Sequence, residues 1–213
     1  DDIDGYDCVQ WISEQPWCDG NVAMYGSSFM GATQWLTAAE GHPNLKAIVP
    51  QVISTDFWER GYWDHGALQL SHVARRIYRT VVSPDATHKV TEFGGWDAFY
   101  RHLPLVTLDE TVVGAKNLLW QEYVSHSMYD NYWRKISLKD RVPRVRIPVY
   151  IHDGWYDNYP AASFEILRLL NQAGHTADLR ILVDPTDHHG TVVGDRDFGD
   201  NPSKDRLELA IKW

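Results

Sequence analysis

The sequence predicts an α/β chain built on a parallel sheet, and three observations carry that prediction. Four short apolar runs stand out, at residues 21–25 (NVAMY), 45–52 (LKAIVPQV), 146–151 (RIPVYI) and 178–183 (DLRILV). Their apolar character is nearly continuous rather than alternating, which is how strands buried on both faces of a parallel sheet read. Helical patterns follow the first and third runs, at 31–40 and 161–173, so strand and helix alternate along the chain. One long segment, 56–139, breaks that rhythm: it is mostly helical in pattern and dense in aromatic residues.

Taken in order, the chain begins with a helical pattern (Tyr6, Val9, Trp11, Ile12) near Cys8 and Cys18. The first apolar run then drops into Gly26, two serines, Phe29 and a helix. The second run leads into the long insertion, which leaves the sheet at the carboxyl ends of its strands, where open α/β folds bind ligands. The insertion is expected to be a helical cap. After the third run comes the helix at 161–173, with Gly174 as its stop signal. The closing RLELAIKW again has helical periodicity. Right-handed crossovers are expected between the parallel strands. The expected division is a core segment at 1–55, the helical cap at 56–139, and a second core segment at 140–213.

Composition narrows the function classes. A length of 213 residues suffices for one sizeable core with a lid. No apolar run approaches the roughly 18 residues that a membrane span needs. A net charge of −9 argues against a nucleic-acid partner, which selects basic surfaces. With two cysteines there is no disulfide framework. Ten residues of helix would separate them by roughly 15 Å, beyond disulfide reach, so they read as buried free thiols and favour a reducing, cytoplasmic compartment. Ten tryptophans and eleven tyrosines must line a core, a pocket or an interface such as that of a homo-oligomer.

The chemistry starts at the first strand–helix junction, YGSSFMG. A nucleophile elbow holds serine on a sharp, strained turn whose flanking residues must be small. Gly26 lies two residues before Ser28, whereas Tyr25 lies two before Ser27, so Ser28 is the candidate nucleophile. Two residues after it stands Met30 rather than glycine, and Gly31 comes one later. An acid and a histidine should then follow later strands in the order Ser, Asp, His. The third run leads into HDGWYDNYP, with Asp153 and Asp157, and the fourth into DPTDHHG, with His188 and His189. Such an aspartate fixes the tautomer of the imidazole that serves as general base and acid.

These stretches resemble the cocaine esterase and X-prolyl dipeptidyl peptidase family of α/β-hydrolases, which includes the α-amino acid ester hydrolases. The segment WCDGNVAMYGSSFMGATQW is close to the family's W-C-D-G-N-V-G-x-x-G-x-S-Y-x-G-x-T-Q-W, and the similarity runs across nearly the whole chain. The family's G-W-Y-D is present at residues 154–157, which singles out Asp157. Its G-P-W-x-H aligns with residues 184–188, which singles out His188, with Asp184 in place of glycine and Thr186 in place of tryptophan. The resemblance implies part of an α/β-hydrolase fold, a triad of Ser28, Asp157 and His188, no cofactor, and an oxyanion donor at the backbone N–H of Phe29. It also implies an upstream tyrosine as second donor and a C-terminal jelly-roll β-sandwich. Neither lies within these residues, so the chain is expected to be a piece of a longer polypeptide.

The reaction implied is acyl transfer from an ester or amide: an acyl ester, an α-amino acyl ester or β-lactam side chain, or an X-Pro dipeptide. Trp155 and Tyr156 flank the acid, and Trp58 and Trp63 in FWERGYWDHGAL are candidates for an aromatic pocket. Glu59 and Asp64 are candidates, by location, for recognising an amine. Two alternatives stand beside this reading. The cluster Asp187-His188-His189, with His152 and Asp153 nearby, resembles the metal site of the DHH phosphoesterases. No Asp-x-Asp follows the first or second strand to complete it. The other alternative is a catalytically inactive hydrolase fold that uses its aromatic segment as a binding surface.

Overall fold

The computed structural model describes residues 2–78, 86–188, 190–199 and 206–213. In chain order the first elements are α1 (Asp2–Ser13), β1 (Val22–Ser27), α2 (Phe29–Ala39) and β2 (Leu45–Gln51). Next come the short strands β3 (Trp63–Asp64) and β4 (Ala67–Leu68), then α3 (Leu70–Ile77), α4 (Ala86–Glu92), α5 (Gly95–Arg101), α6 (Leu108–Val113), α7 (Leu118–Ser125) and α8 (Asn131–Ile136). The chain closes with β5 (Val149–Gly154), α9 (Pro160–Gln172), β6 (Leu179–Asp184), the short strands β7 (Val192–Val193) and β8 (Arg196–Asp197), and α10 (Arg206–Lys212). Two compact units result: Asp1–Asp56 with Ser137–Trp213, and Phe57–Ile136.

The first unit is the predicted α/β layer. Its sheet has the order β1-β2-β5-β6, and every neighbouring pair is parallel. All four strands therefore end at the same edge. Gln34 of α2 helps tie β1 to β2. Its side-chain amide donates to the Gly26 carbonyl at 3.0 Å, and its carbonyl accepts the Val49 N–H at 2.9 Å. Trp35, on the buried side of the same helix, is fully enclosed. α9 starts with proline in its first turn, buries Ala162, Ser163, Ile166 and Leu170, and is followed by Gly174 at φ +69°.

Burial across the sheet is uneven, contrary to the expectation of strands covered on both faces. β2 and β5 are mostly buried, but β1 exposes Ala23 and Tyr25, and β6 exposes Arg180. Among the described residues β1 and β6 are the two edge strands, each with a neighbour on one side. β1, β5 and β6 start and stop one to three residues later than the apolar runs suggest, because polar residues at their ends (Ser27, His152, Asp153, Asp184) still pair in the ladder, whereas β2 starts with its run and stops one residue before the run ends. Where the chain leaves and re-enters this unit, Leu138 N–H donates to the Thr55 carbonyl (2.8 Å) and Ser137 Oγ to the buried Asp56 carboxylate (2.9 Å).

The second unit absorbs much of the aromatic surplus into a core of its own. Tyr62, Trp63, Tyr78, Phe99, Trp120, Tyr123 and Trp133 are buried together with Val73, Ile77 and Leu108. A buried indole must satisfy its N–H. Trp63, Trp120 and Trp133 donate theirs to the carbonyls of Tyr123 (3.1 Å), Leu105 (3.0 Å) and His126 (2.6 Å).

The cysteine expectation is corrected in part. Cys8 and Cys18 are free, but Cys8 is exposed and Cys18 half-exposed, because α1 turns its Val9 side inward and ends before Cys18. Among the described residues no helix is long and apolar enough to cross a membrane.

Candidate active site

Ser28 stands between the end of β1 and the start of α2 with φ 58° and ψ −125°. That conformation suits glycine and is strained for a side-chain-bearing residue. The turn is held from both sides. Ser28 N–H donates to the Gln51 carbonyl at 2.9 Å, and the Ser28 carbonyl accepts from the N–H groups of Gly31 (2.8 Å) and Ala32 (3.1 Å).

Two glycines let the turn close. A Cβ on Gly26 would lie 2.9 Å from the Met30 Cβ, and one on Gly31 would lie 2.9 Å from the Gln51 carbonyl oxygen. The small residue is thus needed where α2 presses on β2, at Gly31, while the Met30 side chain points outward and is exposed. Phe29 opens α2. As the first helical residue it has no preceding turn of α2 to accept its N–H, and its ring is exposed.

The acid turn follows β5. Asp157 N–H donates back to the Gly154 carbonyl at 3.0 Å, closing a turn over residues 154–157. This places the buried Asp157 carboxylate against His188, whose Nδ1 lies 2.6 Å from Asp157 Oδ2. The pair is charge-assisted, and the hydrogen bond that His188 donates to Asp157 raises the His188 pKa above the ordinary histidine value. The buried Tyr159 ring approaches the imidazole edge-on, with centroids 6.0 Å apart.

Asp153 has a different environment. Fully buried, it accepts from Gly154 N–H (2.8 Å) and from the Ser163 hydroxyl, and burial pushes its pKa up to about 7. His152 is also fully buried, its ring edge-on to Tyr150, and burial pulls its pKa down to about 4. Asp187 closes its own loop by accepting the Gly190 N–H at 2.9 Å, and His189 lies outside the described residues. Among the described residues no group of three or more His, Cys, Asp or Glu side chains is placed to hold a metal ion.

The four aromatic candidates separate. Trp155 and Tyr156 are exposed at 58% and 48%, next to Phe164 and Phe198 respectively. Trp58 is half-buried and donates to the Ser127 carbonyl at 3.2 Å, whereas Trp63 is a core residue of the helical unit. Asp64 pairs with its neighbour His65 at 2.6 Å, and Glu59 is half-buried.

Asp184 and Thr186, the two departures from the family pattern, are buried and turn toward Arg206 of α10. Sequence reasoning passed over Arg206. A lone arginine in a helical pattern gives no signal until its guanidinium is seen at the end of β6. Ser163, which holds Asp153, gives none either, because serine in a helix normally faces solvent or its own backbone.

Comparison with known proteins bears on the family and the fold. A family model described as X-Pro dipeptidyl-peptidase (S15 family) matches residues 1–190. The cocaine esterase of Rhodococcus sp. (strain MB1 Bresler) is 31% identical over 93% of this chain, and the chain spans 37% of that protein's length. Among solved structures, an aminopeptidase from a marine sediment Thaumarchaeota archaeon superposes with a TM-score of 0.76 at 19% identity, covering 98% of this chain and 36% of the other. An α-amino acid ester hydrolase gives 0.69 at 18% identity, over 95% of this chain and 35% of the other. At those identities the structural likeness speaks for the fold, which is that of the α/β-hydrolases. The motif order, the shared fold and a family model matched over most of the chain lead to one assignment: this chain belongs to the X-Pro dipeptidyl-peptidase (S15) family.

Proposed function

We propose that the chain carries the catalytic residues of a serine hydrolase that cleaves an ester or amide through an acyl-enzyme at Ser28. The observation that carries this reading is the 2.6 Å bond between His188 Nδ1 and the buried Asp157 carboxylate. It lies on loops that follow strands of the same parallel sheet whose β1 presents Ser28 in strained backbone. An imidazole held through Nδ1 has Nε2 as its remaining nitrogen, the atom that takes the proton from a serine hydroxyl.

In this reading Ser28 Oγ attacks the substrate carbonyl while His188 takes its proton. Asp157 stabilises the imidazolium that forms, and the leaving group departs with that proton. Water, deprotonated by the same imidazole, then releases the acyl group. The Phe29 N–H at the start of α2 is one oxyanion donor. Substrates are small acyl esters, α-amino acyl esters or amides, or short peptides with an X-Pro amino end. Trp155 and Tyr156, exposed beside the acid turn, are the substrate-facing aromatics of this unit. No cofactor takes part.

A fluorophosphonate probe followed by peptide mass spectrometry tests the proposal, with Ser28→Ala and Ser27→Ala as controls. The expected result is one adduct, on Ser28, lost with Ser28→Ala and kept with Ser27→Ala. The same labelling on the longest natural polypeptide that carries this chain separates a wrong nucleophile from an incomplete oxyanion site. Silence there as well sinks the serine-hydrolase reading.

A further inference from the structure

We propose that Arg206 is a positioning residue which, acting through Asp184 and Thr186, holds the His188 loop against the acid turn. The inference rests on the serine-hydrolase reading for its functional meaning, but its geometry stands apart from the reacting groups.

The Arg206 guanidinium makes a forked contact with the Asp184 carboxylate: one terminal nitrogen lies 3.0 Å from Oδ1 and 3.3 Å from Oδ2, and Nε lies 3.4 Å from Oδ2. The same terminal nitrogen donates to Thr186 Oγ1 at 2.7 Å, and the Thr186 hydroxyl also bonds to Asp184. Asp184 is 5% exposed and the Arg206 side chain 15%, so the pair is largely withdrawn from water. Such a pair holds geometry firmly, and removing one member strands a buried charge.

What the pair holds is the junction between the acid and histidine loops. Trp155 N–H donates to the Asp184 carbonyl at 2.9 Å, and Tyr156 N–H to the Thr186 carbonyl at 3.0 Å. Gly154 packs so closely on Thr186 that a Cβ there would lie 2.3 Å from the Thr186 carbonyl oxygen. Asp157 is one residue beyond this seam on one side, and His188 two residues beyond it on the other. The 2.6 Å Asp157–His188 bond is thus set by a short backbone zipper whose β6 half is fixed by Arg206.

α10 has a second tie. Trp213 Nε1 donates to Asp178 Oδ2 at 2.8 Å, just before the start of β6, far from the loop. Trp213→Phe therefore loosens the docking of α10 without touching the seam, which makes it the control for a purely structural role.

The experiment measures the His188 titration midpoint by histidine-selective NMR, the Ser28 acylation rate by the fluorophosphonate probe, and the folded fraction by circular dichroism. The groups that bear on His188 are Asp157, Asp153 and Asp187, all left in place. In folded Arg206→Ala, the His188 midpoint should move down toward the ordinary histidine value as the Asp157 bond loosens, and acylation should slow by about tenfold or more. Arg206→Lys should restore part of both, and Trp213→Phe should change neither. Should Arg206→Ala not fold, the uncharged pair Asp184→Asn with Arg206→Gln replaces it, with the same expectation. An unchanged midpoint and rate in the folded Arg206 variants overturns the proposal. So does an equal shift in Trp213→Phe. Absence of any Ser28 adduct in the parent protein overturns the hydrolase reading instead, and the NMR midpoint still decides whether Arg206 positions His188.

Discussion

The Gln51 carbonyl oxygen meets the serine turn twice: it accepts the Ser28 N–H at 2.9 Å, and it faces Gly31 so closely that a Cβ there would also lie 2.9 Å away. One backbone atom of β2 thus anchors the strained turn and sets how near α2 can approach. Gly31→Ala should force α2 away from β2. Overpacking of this kind costs about 1–3 kcal/mol, readable as a lower urea midpoint. Labelling of Ser28 should fall more than the loss of folded protein explains. Met30→Gly, which restores the common motif spacing at an exposed site, should leave labelling unchanged.

Strain at Ser28 makes a second prediction. At φ 58° and ψ −125° the residue sits where glycine is comfortable. Ser28→Gly should abolish labelling while raising stability by roughly 1 kcal/mol, the relief of strain offset by the extra entropy of glycine. A thermal melt that falls instead would show that the turn is not under strain.

The His188–Asp157 pair sets a pH dependence. His188 must be neutral to accept a proton, and Asp157 raises its pKa, so acylation should reach half its maximum above pH 6.5, the ordinary histidine value. The stability term has the matching sign: the paired imidazolium favours the fold below the unfolded-state pKa, and that contribution is lost as pH rises through the raised native value. Asp157→Asn should lower the His188 midpoint, slow acylation by about 10⁴-fold, and destabilise more near pH 6 than at pH 9. Rate profiles and urea titrations at the two pH values check this.

Asp153 adds a trend of the same sign, from burial rather than from a partner. Its pKa is raised from 3.8 to about 7, mainly by burial, so between those values the folded state holds a proton that the unfolded state has released. Stability from this group therefore falls as pH rises through that window. Asp153→Asn mimics the protonated form and keeps an acceptor for Gly154 N–H, so the variant should be more stable than the parent at pH 8 and little changed at pH 4. Equal urea midpoints for parent and variant at both pH values would falsify the assignment.

Local pattern alone determined the α/β class, the four strands of the sheet and their alternation with α2 and α9, because apolar runs and helical periodicity are written in neighbouring residues. Motif order also placed a serine, a pair of aspartates and a pair of histidines after successive strands. By spacing alone Asp153 and Asp157 were equivalent, and the family resemblance singled out the second. The physical difference between them is three-dimensional: β5 runs on through Gly154, which turns Asp153 inward onto Ser163, while the 154–157 turn delivers Asp157 to His188. Burial likewise needed the tertiary structure. Cys8 is exposed because of the face α1 presents, and Trp63 joins a core because its indole N–H finds the Tyr123 carbonyl, sixty positions along the chain. Arg206 shows the limit most clearly. Its partners Asp184 and Thr186 stand 22 and 20 positions earlier in the chain, and only the tertiary fold brings α10 to them.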